Sequence, residues 1–288
     1  MSRSIYNSKD IIGHIEISRA LTSVVSPSAP GMSQSAGTKV AIIVITAVLY
    51  AIGKWMTAFI PTPWGVGQLL VGVFLPAFMA VTSDTVSVAI GAGMGTFMGD
   101  LFVQTNPTLS LVAGVPANFV AFLFFGWFVK RYRSWPSFVA ATVVFVSLGN
   151  LIAAVNVFLF AQATIGITLP STAIAGLTVF WNTTSIPATL LAVPALIRAV
   201  RPLYGRSRLL PYFPSWPNEI GTRGYVTALA LALAYTGFGG AIFVFLPSSV
   251  STTPGLVYFV AGAVMVALFG SISSMVAGGA RRPTAEAA

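Results

Sequence analysis

The sequence predicts an all-α, polytopic transmembrane bundle, and three observations carry that prediction. Of 288 residues, 56% are hydrophobic and only 7% are charged, with a mean hydropathy of +0.87. A water-facing domain carries roughly a quarter of its residues as charges, so lipid is the solvent expected here. Apolar runs recur between Pro, Gly and charged breaks, each close to the roughly 20 residues that cross a bilayer as a helix. Lys and Arg gather in alternate connections between those runs, the pattern that topology imposes on a multi-spanning chain.

The elements follow in order. Residues 1–38 form a tail: Ile5, Ile11, Ile12, Ile15 and Leu21 fit either one side of an amphipathic surface helix or a disordered segment, and Pro27 to Gly37 is a Ser/Pro/Gly/Ala-rich linker. The first 22 residues lack an apolar h-region and carry Lys9, Asp10, Glu16 and Arg19, so no secretory signal is expected there. Met32, just before the first span, is an alternative start. Eight spans are expected, at 40–60, 66–81, 85–103, 109–129, 138–161, 174–200, 225–246 and 256–275. Pro61-Thr62-Pro63 ends the first, Thr82-Ser83-Asp84 is a capped turn after the second, and Asn106-Pro107 stops the third. A Pro/Arg-rich connection fills 201–224, two further helices lie within 225–278, and 279–288 is a second tail.

Basic residues then set the orientation. Lys39 precedes the first span. Lys130, Arg131 and Arg133 lie between the fourth and fifth. Arg198, Arg201, Arg206, Arg208 and Arg223 flank the sixth and seventh, and Arg281 and Arg282 follow the eighth. The other loops hold no Lys or Arg. By the positive-inside rule both termini are expected in the cytoplasm of a multi-pass cell-membrane protein. The same distribution explains the net charge of +9 without nucleic acid as a partner.

Small residues predict the packing seams. Gly91, Gly95 and Gly99 recur every four residues and line one helix face, which lets two backbones approach closely in lipid. Ala47 and Ala51 mark a similar stripe on the first span. Among the charges, Asp84 is placed to cap a helix N-terminus. Asp100 stands at the C-terminal end of the same helix, where the macrodipole disfavours an anion. Lys54 is expected at the same level. An ion pair between Lys54 and Asp100, a place in a ligand pocket, and snorkelling of Lys54 are the available readings. Trp64, Gln68, Asn118, Asn156, Trp181 and Asn182, with Gln104, Asn106 and Gln162, are expected toward the outer side. Each alone suits an interfacial aromatic belt or an interhelical hydrogen bond. Their convergence suits a neutral or weakly charged aromatic ligand.

Other chemistry has little to stand on. The chain has no cysteine, and its one histidine, His14, lies in the tail, so neither thiolate catalysis nor an imidazole metal site within the membrane is expected. HExxH, GxSxG and Walker A motifs are missing from the sequence. An enzyme is not expected, nor a cofactor.

The run AVLYAIGKWMTAFIPTPWGVGQLLVGVFLPAFMAV, with SVAIGAGMGTFMGDLF and ANFVAFLFFGWFVKRYR after it, resembles the start of a substrate-binding S component of energy-coupling factor transporters. Ala47 and Ala51, Pro61 to Gly67, Pro76, Gly91 to Asp100, and Gly126-Trp127 with Lys130-Arg131 carry the likeness, which covers roughly residues 39–200. It implies a six-helix substrate-binding core, here with two additional C-terminal transmembrane helices. The ligand implied is a vitamin or related micronutrient taken from outside, held by the outer loop and the outer ends of the fourth to sixth spans. It also implies a transmembrane coupling subunit docking on Ala47 and Ala51, driven by two cytoplasmic ATPases. The extra helices and the long tail depart from the family pattern. The N-terminal Met-His of its metal-specific relatives is missing too, which disfavours nickel or cobalt. A self-standing secondary transporter and a structural subunit of a membrane complex are the alternatives.

Overall fold

The computed structural model describes residues 34–62, 67–103, 107–164, 166, 168–201, 209–212, 214, 216–220, 222–245 and 264. The tail helix, Trp64, Gln104, Asn106 and all of the eighth span but Val264 lie outside these residues. Seven helices make up the described fold: α1 (Ala36–Trp55), α2 (Val71–Thr82, opening with a 3-10 turn), α3 (Thr85–Leu101), α4 (Pro107–Tyr132), α5 (Trp135–Thr164), α6 (Thr172–Ala199) and α7 (Thr222–Phe245). A helical turn at Trp216–Glu219 precedes α7. Pro61 and Gln68 form an isolated antiparallel bridge, and no sheet is built among the described residues.

Four helices, α1, α4, α5 and α6, are long and apolar enough to cross a bilayer. The expected second span is corrected. Helix begins only at Val71, so α2 rises about 18 Å at 1.5 Å per residue, short of a hydrocarbon core of about 30 Å. Gly67 takes a left-handed φ of +81°, and the chain then stays non-helical to Leu70. The first span also stops early, at Trp55 rather than residue 60. Thr57 Oγ1 has the carbonyls of Gly53 and Lys54 within 3.3 Å and that of Leu69 at 2.8 Å; its single proton is best placed on Leu69, which ties the end of α1 to the returning segment. Non-helical backbone at membrane depth is stable only where such partners are found inside the protein.

The caps explain the other boundaries. Asp84 accepts from Ser87 N at 2.9 Å and Ser87 Oγ at 2.7 Å, starting α3. Ser134 caps α5 through Ser137 N, with Pro136 in the first turn, where its missing N–H costs nothing. Both α4 and α5 contain a five-residue π segment, at Ser110–Gly114 and Thr142–Val146. Such widened turns are rare and occur often at functional sites.

Packing places α3 between α1 and α4, and α6 in the middle of the bundle against α2, α5 and α7. The candidate span of α6 is 89% buried, so this helix is enclosed on nearly every side, as an all-round apolar helix should be. On the α1–α3 seam, a Cβ built on Gly91 would lie 2.7 Å from the Ile43 carbonyl oxygen, and one on Gly99 3.0 Å from Lys54 Cβ. The two backbones therefore meet with no room for a methyl group. Edge-to-face and stacked rings form a continuous file through the core, from Tyr50 through Phe122, Phe125 and Phe138 to Trp216. It links the mid-bundle to the connection before α7.

Lys130 has a different place from that of a surface topology marker. It is buried at the end of α4, donating to the Ser83 carbonyl and, at 2.8 Å, to Thr85 Oγ1. Its ammonium also sits 4.7 Å from the centre of the Tyr212 ring, a cation–π arrangement. Burial, and secondarily the Asp84 carboxylate, pushes the Tyr212 phenol above its usual pKa, so the ring faces Lys130 as a neutral phenol. Ser83 Oγ donates to the Leu209 carbonyl at 2.6 Å and Tyr212 N to the Thr82 carbonyl. The α2–α3 turn is thus fastened both to α4 and to the connection before α7.

Candidate functional site

The fold leaves a cavity of about 60 Å³ between the ends of α1 and α3, the strand before α2, and the facing sides of α4, α5 and α6. A polar space of this size holds several waters. Its polar side chains are Lys54, Gln68, Thr96, Asp100, Ser110, Asn118 and Asn150, with Trp181. Apolar walls come from Leu70, Val73, Phe122, Val146 and Val157.

The electrostatic centre is an ion pair. Lys54 Nζ lies 2.6 Å from Asp100 Oδ1, and the two residues are 5% and 3% exposed. Each comes from the end of a helix: Lys54 from the last turn of α1, Asp100 from the last turn of α3. Gly99, beside Asp100, allows α1 to approach close enough for the pair to meet. Two neutral donors complete the carboxylate: Gln68 Nε2 at 3.1 Å on Oδ1 and Ser110 Oγ at 2.6 Å on Oδ2. A buried anion needs such donors as well as a counter-ion, because the Coulombic attraction alone does not readily repay its desolvation.

Gln68 also joins the centre to α6. Its backbone carbonyl accepts from Trp181 Nε1 at 3.2 Å, and the Trp181 ring packs on Gly67, where a Cβ would come within 2.8 Å of Cζ2. Glycine is required there twice, for the positive φ and for the indole. On the opposite wall Tyr50 OH donates to Asn118 Oδ1 at 2.9 Å, and Asn118 Nδ2 donates to the Gly114 carbonyl at 3.0 Å. Asn156 Nδ2 reaches the Val112 carbonyl at 3.1 Å. Both amides therefore serve carbonyls of the π segment in α4, whose widened turn disturbs the ordinary i to i−4 ladder.

The expected site residues fall into groups. Gln68, Asp100, Asn118 and Trp181 are brought together on the cavity, with Lys54 beside them. Asn182 stands one step behind: its Oδ1 accepts from Asn150 Nδ2 at 2.7 Å, and Asn150 Nδ2 also donates to Ser185 Oγ. Asn156 is not on the cavity wall; its amide supports the π segment. Ala47 is 2% exposed and covered by Gly95 of α3, so that part of the expected coupling stripe packs within the chain. Ala51 is also buried, against Gly99 of α3, and lies at the bottom of a shallow apolar groove bordered by Val48, Ile52, Trp55, Met98 and Phe102.

Sequence reading passed over Tyr50, Thr96, Ser110 and Asn150. Asn150 carried a readable signal, a single amide amid an apolar run, of the same kind that singled out Asn156. Tyr50 lies one helical turn before Lys54 and so shares its face. Ser110 offered no signal, because its approach to Asp100 depends on the turn between α3 and α4. No three metal-ligating side chains converge among the described residues. Compared with protein-family models, curated proteins and solved structures, the chain finds no match.

Proposed function

We propose that the protein is a substrate-binding subunit embedded in the cell membrane, which takes a vitamin-like organic micronutrient into the cavity beside Lys54 and Asp100. A transmembrane coupling subunit and cytoplasmic ATPases then drive its uptake, as in transporters of the energy-coupling factor kind. The observation that supports this reading is a cavity with a buried ion pair and several amides on its wall, inside a bundle otherwise made of apolar helices. Ionisable groups within the membrane are costly, and default to a functional role. The alternation of basic loops supports a cavity open toward the outside. The groove floored by Ala51 is the part of the expected coupling face that remains open to a partner. A thermal-shift screen of the purified chain against water-soluble vitamins tests the reading. A ligand at about 100 times its dissociation constant adds roughly 2.7 kcal/mol and raises Tm, whereas a flat response across the panel removes it.

A second reading, a self-standing secondary transporter, is favoured by one observation. The ion pair adjoins backbone that is not helical at 56–62 and 67–70, and interrupted helices beside ionisable groups mark substrate and ion sites in such carriers. Uptake into liposomes holding this chain alone, driven by a proton or sodium gradient, would establish it.

A further inference from the structure

The hydrogen-bonding capacity left over around the ion pair defines the ligand more narrowly. Asp100 has most of its acceptor capacity taken, with Lys54 and Gln68 on Oδ1 and Ser110 on Oδ2, against the roughly four lone-pair sites of a carboxylate. Lys54 does not. An ammonium carries three donors, and one of them is engaged, on Asp100 Oδ1 at 2.6 Å. Asn150 has both amide hydrogens directed to Asn182 and Ser185, which leaves its carbonyl oxygen as an acceptor on the cavity wall. Asn150 is 7% exposed, so bulk water does not readily serve that oxygen. The cavity thus offers a donor from α1 and an acceptor from α5.

Charge decides what can use them. Lys54 and Asp100 neutralise one another, and every other polar group on the wall is an amide, a hydroxyl or an indole. A carboxylate ligand would place a second anion beside Asp100 against a single ammonium. A cation would place a second positive charge beside Lys54 with the single carboxylate of Asp100 already neutralised by that ammonium. Either leaves one uncompensated charge in a site removed from water, where an unpaired ion is strongly penalised. Resting on the binding reading above, we infer that the cavity selects an uncharged small molecule. Its acceptor (a carbonyl or ring nitrogen) meets Lys54 Nζ, and its N–H or O–H donor meets Asn150 Oδ1.

The test uses the full chain in detergent and compounds matched in shape but not in charge: nicotinamide against nicotinate, pantothenol against pantothenate, and biotin amide against biotin, with thiamine as a cation. Concentration-dependent rises in Tm are read for each. The expected result is that the neutral member of at least one pair raises Tm and its anionic partner does not. Asn150→Leu should then weaken that neutral compound about 10-fold, read as the ligand-dependent rise in Tm above the variant's own apo value, which falls because Asn182 and Ser185 lose a donor. If an anionic member or thiamine shifts Tm as much as, or more than, the neutral compounds, the charge inference is overturned and the binding reading stands. If neither these compounds nor the wider vitamin panel shifts Tm, the binding reading fails and this inference with it.

Discussion

Gly95 faces Ala47 so closely that a Cβ built on it would lie 2.6 Å from the Ala47 carbonyl oxygen and 3.0 Å from its Cα. The neighbouring atoms are backbone, so nothing flexible can move aside. Gly95→Ala should therefore part α1 from α3 and cost about 1–3 kcal/mol, the usual penalty for overpacking. Gly37→Ala is the control, because a methyl group there meets nothing within 4 Å. Thermal unfolding in detergent should show a clear fall in Tm for the first and little change for the second. Equal Tm values would mean that the seam is looser than the described packing.

The seam was legible in the sequence because its cause is local: one residue in four is small, and a helix returns to the same face at nearly that interval. The helices α4, α5 and α6 were legible for the same reason, and the Asp84 cap followed from its position before an apolar run. What escaped was whatever depends on two distant segments meeting. The non-helical segment at 67–70 reads in the sequence as the apolar start of a helix. It is held otherwise by Trp181 and Asp100, which lie 113 and 32 residues from Gln68. The π segments leave no mark on hydropathy. The stripe at Ala47 was visible, but a stripe does not say whether its partner is a helix of the same chain or another subunit.

The ion pair at the cavity predicts a strongly non-additive mutant cycle. Lys54→Met strands a buried carboxylate and Asp100→Leu strands a buried ammonium, and either loss should cost about 3–5 kcal/mol. The double variant removes both charges together and should recover most of that stability. Recovery will be incomplete, since Gln68 Nε2 and Ser110 Oγ lose their acceptor, at about 1 kcal/mol each. Denaturant unfolding of the four proteins measures the coupling. Additive losses would show that the two charges act independently.

Lys130 predicts a contrast between neighbouring basic residues. Lys130 is buried with three partners, the Ser83 carbonyl, Thr85 Oγ1 and the Tyr212 ring, whereas Arg131 is exposed. Lys130→Met leaves the Ser83 carbonyl short of a donor and should cost about 1–3 kcal/mol. Arg131→Met should fall within about 0.5 kcal/mol of the parent. Limited proteolysis at the connection before α7 should rise in the Lys130 variant alone, because Tyr212 loses its cation. If the two variants behave alike, Lys130 contributes only its charge to topology.

The absence of cysteine from the sequence makes orientation directly measurable. Ser35 caps the start of α1 and is exposed, and Thr168 is exposed just before α6. One α-helix crosses about 30 Å in roughly 20 residues. Ser35 and the α4–α5 turn at Arg133 therefore belong to one side, and Thr168, after the further crossing by α5, belongs to the other. The basic residues put the first side in the cytoplasm. In intact cells a membrane-impermeant maleimide should then label Thr168→Cys and spare Ser35→Cys, and after permeabilisation both should react. Swapped labelling would turn the bundle over, place the cavity end beside Gln68 and Asp100 in the cytoplasm, and make uptake from outside untenable.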